Sequence, residues 1–175
     1  MEKQEVQKLL PLLLVMVYVN NDWLPKPIVL EENVDVVCLQ ETRAKVHQLT
    51  EEILSPNGYS GFFNDAKKKG YSGVAIYTRQ QPDKIKTALG WHHADSEGRY
   101  IQADFGLLSI ISLYLPSGSS SEERQTIKYD FMDRFMPILE KYRKQKRNYI
   151  ICGDWNIAHK EIDLKNWRGN VKNSG

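Results

Sequence analysis

The stretch Asn148-Tyr149-Ile150-Ile151-Cys152-Gly153-Asp154-Trp155-Asn156 decides the fold, because polar residues directly follow a continuous apolar run. The run at 149–152 predicts a strand that is buried on both faces. Gly153 predicts that the backbone turns out of the sheet at that point. Asp154 and Asn156 then lie at the carboxyl end of the strand, where open α/β sheets bind ligands. Asp and Asn are also common turn formers after a strand, so by themselves the two residues are equally consistent with a capped turn.

The composition is that of one globular domain, since 41% of the 175 residues are hydrophobic and 26% are charged. A formal net charge of +2 gives no global basic field, so an anionic partner would have to bind local clusters. Cys38 and Cys152 lie in apolar runs, and we expect buried, reduced thiols in a cytoplasmic protein. The apolar run at 9–19 is too short to cross a bilayer and lacks a cleavage site, so we expect no membrane partner and a strand within 13–19.

The remaining pattern predicts a series of strands, then one long helix, then the strand at 149–152. The further strands are expected at 34–39, 59–64, 73–79, 86–91, 100–105 and 107–115, with a hairpin at Gly106. Helical spacing occurs at 45–54 and at 122–144, where Ser121 is the expected N-cap. The apolar stripe of the long helix is expected to comprise Tyr129, Met132, Phe135, Met136 and Leu139. We find no repeat or linker, so residues 1–175 are predicted to form a single domain, with 1–12 as an atypical N-terminal segment.

Two further polar residues stand at predicted strand ends. Glu41 follows the strand at 34–39, and Tyr114 lies near the end of the strand at 107–115. If these strands are neighbours, their ends converge, and we expect both residues to line one cleft with Asp154 and Asn156. Two carboxylates with amide and water oxygens form the kind of site that Mg²⁺ prefers. Phosphoryl chemistry fits such a site, because the metal neutralises developing charge while a carboxylate takes a proton from water.

Five short motifs occur together and in order: L-Q-E-T at 39–42, Y-S-G-V-A at 71–75, E-G-R-Y-I at 97–101, L-Y-L-P-S-G at 113–118 and G-D-W-N-I-A at 153–158. Together they resemble exodeoxyribonuclease III and the AP endonucleases of the endonuclease/exonuclease/phosphatase superfamily. The segment D-L-K-N-W at 163–167 resembles the bacterial branch. The resemblance implies an α/β fold, specifically a four-layer α/β/β/α sandwich. It also implies a DNA-repair nuclease that uses Mg²⁺, or Mn²⁺, to cut double-stranded DNA at abasic sites and from 3′ ends, as a monomer when complete.

The resemblance also implies roles for single residues. Glu41 resembles the metal-binding glutamate of the family, and Tyr114 resembles the tyrosine that contacts the scissile phosphate. Asp154 resembles the aspartate that activates the nucleophile or protonates the leaving group, and it is a further candidate metal ligand. Asn156 resembles the asparagine that orients the phosphate. Two basic residues match family positions near the DNA: Arg99 and Lys128.

The chain departs from the family pattern at both ends. Of the opening Asn-x-Asn-Gly pattern only Asn20 is matched, as a candidate metal ligand, and the later strands with a Ser-Asp-His motif have no counterpart before Gly175. We therefore expect a domain truncated at its C-terminus, with exposed apolar surface and weak or absent activity. Two alternatives stay open. One is a superfamily phosphoesterase acting on small or lipid phosphates, and the other is a non-catalytic fragment that at best binds DNA.

Overall fold

A computed structural model describes residues 13–16, 34–56, 58–118 and 121–170, with the backbone alone given for 13–16. The strand expected within 13–19 is confirmed as β1, Leu13–Met16. Asn20 and the atypical segment at 1–12 lie outside the described residues. In the part of the chain that is described, no helix is long and apolar enough to cross a membrane.

The chain forms two compact units. Of the described residues, the first comprises those up to Tyr114 together with Lys146–Gly153, and the second comprises those within Leu115–Gln145 and those from Asp154 onward. The prediction of a single domain over 1–175 stays a prediction.

Two four-stranded sheets form the first unit. One has the strand order β1-β2-β4-β3 and contains β2 (Val36–Gln40), β3 (Ser60–Asn64) and β4 (Val74–Thr78). The other has the order β5-β6-β7-β8, namely β5 (Lys84–Lys86), β6 (Tyr100–Phe105), β7 (Leu108–Tyr114) and β8 (Asn148–Asp154). β1 and β2 are parallel, whereas β2 and β3 both pair antiparallel with β4. The hairpin predicted at Gly106 is confirmed, because β6 and β7 are antiparallel neighbours on either side of it.

A large buried cluster of the first unit contains side chains from both sheets, and a smaller one lies on the other face of the first sheet. Side chains alternate along each strand, so Val74 and Ile76 of β4 share one face, as predicted, and pack with Ile101 of the second sheet. Cys38 and Cys152 are in the same cluster and are free and buried, which confirms the expected buried thiols, while the cytoplasmic location stays a prediction. The hydrogen bond with Cys152, together with burial, raises the pKa of the Cys38 thiol.

The first unit also contains short helical segments. A 3₁₀ turn covers Val46–Gln48, α1 covers Glu51–Leu54, and α2 covers His92–Ser96. The helix expected at 45–54 is therefore wrong as one element, because Leu49 and Thr50 adopt extended backbone conformations between the two pieces. The strand expected at 86–91 is also wrong, since β5 pairs with β6 only over Lys84–Lys86.

Strand β8 differs from the prediction in two ways. Among its residues only Cys152 is buried, so the strand is not buried along its length on both faces. The strand also continues through Gly153 and ends at Asp154. The absence of a side chain at Gly153 lets β8 lie close to β7, because a Cβ at that position would overlap the carbonyl oxygen of Leu113.

Helix α3, Glu122–Arg143, dominates the second unit. It begins at Ser121, whose hydroxyl accepts the N–H of Arg124 at 3.2 Å, so both the predicted helix and its N-cap are confirmed. The unit also contains a 3₁₀ turn, Glu161–Asp163, and the one-turn helix α4, Trp167–Asn170.

The buried face of α3 is rotated from the predicted stripe. Tyr129 is 56% exposed and Met136 54% exposed, so these two assignments are wrong. The buried residues are Lys128, Phe131 and Phe135, which are spaced as i, i+3 and i+7. The predicted stripe is wrong because the buried face includes Lys128, and a pattern of hydrophobic residues assigns a lysine to the solvent-exposed face.

Candidate active site

Glu41 directly follows β2 in a loop that is tied to the turn before β4. The N–H of Thr42 donates to the carbonyl of Gly73 at 3.1 Å, and that of Arg43 donates to the carbonyl of Ser72 at 2.7 Å. Glu41 has a φ of +56°, a conformation that is uncommon for a residue with a side chain and that the tied loop maintains. Its Oε1 accepts the Nε–H of Arg43 at 3.0 Å. Glu41 is therefore a partly buried carboxylate with a defined orientation at the end of β2.

The ends of β2 and β7 are held together although the two strands belong to different sheets. Gln40 donates from Nε2 to Ser112 Oγ at 2.8 Å, and Ser112 Oγ donates to the carbonyl of Leu39 at 2.9 Å. These three residues are fully buried. Glu41 is the next residue after Gln40, and Tyr114 is two residues beyond Ser112, so the structure brings these two predicted site positions to one end of the first unit.

Arg99 is only 2% exposed and lies among side chains of the first unit. Its guanidinium carbon is 4.9 Å from the ring centroid of Tyr114 and 5.8 Å from that of Tyr71. The guanidinium donates to Glu97, to the carbonyl of Tyr114 and to the hydroxyl of Tyr71, at 2.6, 3.0 and 3.1 Å. Sequence reasoning missed Tyr71, although the Y-S-G-V-A motif that contains it was noticed.

Asp154 and Asn156 form a tight turn in the second unit. The N–H of Asn156 donates to Asp154 Oδ1 at 2.9 Å, and the N–H of Leu115 donates to the Asp154 carbonyl at 2.9 Å. Asn156 has a φ of +51°, and its Nδ2 donates to the carbonyl of Leu115 at 2.8 Å. Asp154 therefore does form the capped turn that the sequence allowed, and this turn orients both polar side chains.

Lys128 lies beside this turn and is 3% exposed. Its Nζ donates to the carbonyl of Asn156 at 2.7 Å. Burial lowers the pKa of Lys128, while the charge of Asp154 acts in the opposite direction. The ammonium group thus holds the turn from within the second unit.

The predicted residues fall in both units: Glu41, Arg99 and Tyr114 in the first, and Lys128, Asp154 and Asn156 in the second. The prediction that four of them line one cleft stays a prediction. Among the residues described, no group of three or more His, Cys, Asp and Glu could hold a metal ion. The donors that are present are carboxylate oxygens, Glu41 in one unit and Asp154 in the other. Each carboxylate by itself offers the hard oxygen donors that a divalent cation takes, and such a cation can keep waters as its other ligands.

Residues 22–174 match the model of the Endonuclease/Exonuclease/phosphatase family. The chain belongs to this family, and the α/β fold class of the endonuclease/exonuclease/phosphatase type is confirmed.

The relatives agree with the resemblance to exodeoxyribonuclease III and AP endonucleases. The exodeoxyribonuclease of Bacillus subtilis is 38% identical over 146 residues, which cover 83% of this chain and 56% of the relative. Exodeoxyribonuclease III of Haemophilus influenzae is 33% identical over 136 residues, which cover 74% of this chain and 50% of the relative. The solved structure of an AP endonuclease from Archaeoglobus fulgidus superposes with a TM-score of 0.72 at 28% identity, covering 84% of this chain and 56% of that one. The chain thus spans about half the length of the curated relatives it matches.

Proposed function

We propose that this chain acts in DNA repair as a metal-dependent phosphodiesterase that cuts double-stranded DNA at abasic sites or from 3′ ends. The observation that carries the proposal is the locked turn from Asp154 to Asn156. A carboxylate and an amide held in a fixed geometry cost little reorganisation when a reaction begins. The DNA-directed names of the family relatives support the choice of substrate.

Glu41 is the residue that we assign to a divalent cation, Mg²⁺ or Mn²⁺. Asp154 is a second candidate ligand, because its carboxylate also offers hard oxygen donors. When bound, such a cation would neutralise negative charge that develops on the phosphate.

The proton transfers are assigned to Asp154. Its Oδ1 is engaged by the Asn156 N–H, and this hydrogen bond fixes the direction of the whole carboxylate. In that position Asp154 would take a proton from the attacking water or return one to the leaving oxygen.

The phosphate contacts are assigned to Asn156 and Tyr114. One N–H of the Asn156 amide is used by the carbonyl of Leu115, so the second is the donor that we assign to a phosphate oxygen. The ring of Tyr114 is fixed by its contact with Arg99, and its phenol is assigned to the scissile phosphate.

The test is the substitution Asp154→Asn, which keeps the shape of the side chain and removes its charge and basicity. Nicking of a labelled abasic-site duplex by the 175-residue chain should be weak and Mg²⁺-dependent, and the variant should lose a further 10²- to 10⁴-fold or so in rate, about the contribution of a general acid or base. Asp130→Asn is the matched control, because Asp130 makes an exposed pair with Arg134 on α3 and should leave the rate unchanged.

Equal rates for Asp154→Asn and the wild type would refute the assignment of Asp154. Hydrolysis of small or lipid phosphates without nicking would favour the alternative phosphoesterase. DNA binding without any hydrolysis would favour a non-catalytic role.

A further inference from the structure

Arg99 is a fully buried cation whose partners come from three separate parts of the sequence. Burying a charge is costly unless hydrogen bonds and an opposite charge compensate for it. Glu97 supplies the charge, and the Tyr114 carbonyl and Tyr71 hydroxyl accept two further N–H groups. A guanidinium that is only 2% exposed and donates in three directions is occupied by the protein itself.

The three contacts place Arg99 between two tyrosines. The two rings flank the guanidinium at 4.9 and 5.8 Å, a distance at which a cation and an aromatic face attract each other. The N–H of Tyr114 also donates to the Arg99 carbonyl at 2.9 Å, so backbone and side chain of Arg99 both contact Tyr114. The Nζ of Lys68 also lies 5.3 Å from the ring centroid of Tyr71.

Tyr71 connects this cluster to the loop that carries Glu41. The next residue, Ser72, accepts the N–H of Arg43, and Gly73 accepts that of Thr42. Arg99 therefore links the end of β7 to the turn that is tied to the Glu41 loop.

We propose that Arg99 is a positioning residue, which fixes the ring of Tyr114 relative to the Tyr71 turn and does not itself contact DNA. This inference rests on the proposed function, since the group it positions is the phenol assigned to the phosphate. A lysine cannot replace Arg99 in this role, because an ammonium lacks the planar fork that reaches three acceptors in fixed directions.

The first experiment is a double-mutant cycle on the 175-residue chain with Arg99→Lys and Tyr114→Phe. Arg99→Lys should lower kcat for abasic-site nicking on the order of 10- to 100-fold, as expected for a misplaced contact, with KM for DNA little changed. In a protein that already carries Tyr114→Phe, Arg99→Lys should lower kcat little further, since the effects of two substitutions are not additive when one residue acts through the other.

Three results would overturn the proposal. A raised KM whose dependence on salt is weakened by the substitution would show that Arg99 neutralises a DNA phosphate. Independent, multiplying effects of the two substitutions, with a lowered melting temperature, would show a structural role only. An unchanged kcat in a folded Arg99→Lys protein would show that the contact is unimportant. If Arg99→Lys does not fold, Glu97→Gln replaces it, because it removes the ionic partner of Arg99 while keeping the shape and should also lower kcat.

The second experiment does not depend on activity. The chain is labelled with 3-fluorotyrosine, and the ¹⁹F resonances of Tyr71 and Tyr114 are assigned through Phe substitutions. Both resonances should shift in Arg99→Lys, whereas that of Tyr129, which is exposed on α3, should not. An unshifted Tyr114 resonance would refute the positioning role even in a protein that cuts DNA. Shifted resonances in a protein that cuts no DNA would instead refute the proposed function alone.

Discussion

Asp104 is a buried carboxylate on β6 whose removal should destabilise the protein in a pH-dependent manner. Its Oδ1 accepts the hydroxyl of Ser109 at 2.6 Å and the amide of Gln102 at 2.5 Å. Two cations lie near it, Lys86 at 3.4 Å and Arg147 at 3.5 Å. Burial by itself would raise the pKa of Asp104, but these hydrogen bonds and charges outweigh it, so the pKa is lowered.

The sign of the pH effect follows from that shift. The folded-state pKa of Asp104 lies below the unfolded value of about 4. The stabilisation is therefore complete above pH ~4 and is lost as the pH falls through the folded-state pKa.

The magnitude can be worked from the contacts. Hydrogen bonds to a charged group contribute about 1.5–3 kcal/mol. The pair with Lys86 is discounted to less than ~1 kcal/mol because that lysine side chain is 41% exposed. Asp104→Asn should thus cost about 2 kcal/mol near neutral pH, which corresponds to a melting temperature lower by ~4–8 °C for a chain of this size.

The assay is thermal unfolding followed by circular dichroism at pH 7.5, 5 and 3.5. The difference between Asp104→Asn and the wild type should be full at the two higher values and should shrink at pH 3.5. Asp130→Asn is the control, since its exposed pair with Arg134 should change stability by at most ~0.5 kcal/mol at any of these pH values. A penalty of the same size at pH 3.5 and 7.5 would refute the electrostatic reasoning and assign the effect to side-chain geometry.

Two further predictions concern single residues. Gly153→Ala should destabilise the fold by about 1–3 kcal/mol in urea unfolding, because the added methyl would overlap the Leu113 carbonyl; an unchanged midpoint would show that β7 and β8 can move apart there. Glu41→Gln should raise the Mg²⁺ concentration needed for half-maximal nicking, whereas Glu51→Gln on the exposed start of α1 should not; identical Mg²⁺ titrations for wild type and Glu41→Gln would contradict the metal-binding role.

Several elements could be predicted from the sequence because the residues that form them interact mainly with near neighbours or are apolar and therefore buried. Strands β2 and β4 are buried at every residue, and each appears in the sequence as a nearly continuous apolar run. The start of α3 at Ser121 was predictable because a cap satisfies backbone groups within one turn. The order of five short motifs was enough to indicate the family.

Only the tertiary structure decided how the polar residues are used. Arg99 and Lys128 are basic and were placed near DNA by position, yet each is buried against partners distant in sequence. Whether a charge can be buried depends on which acceptors the fold brings to it, and no local pattern contains that information. The same holds for Gly153. A side chain is excluded there because β7 approaches closely, and not because the backbone of Gly153 has an unusual conformation. The sequence by itself thus determined most of the strands, the start of α3 and the family, whereas only the fold showed that Arg99 and Lys128 are buried and bound by other parts of the chain.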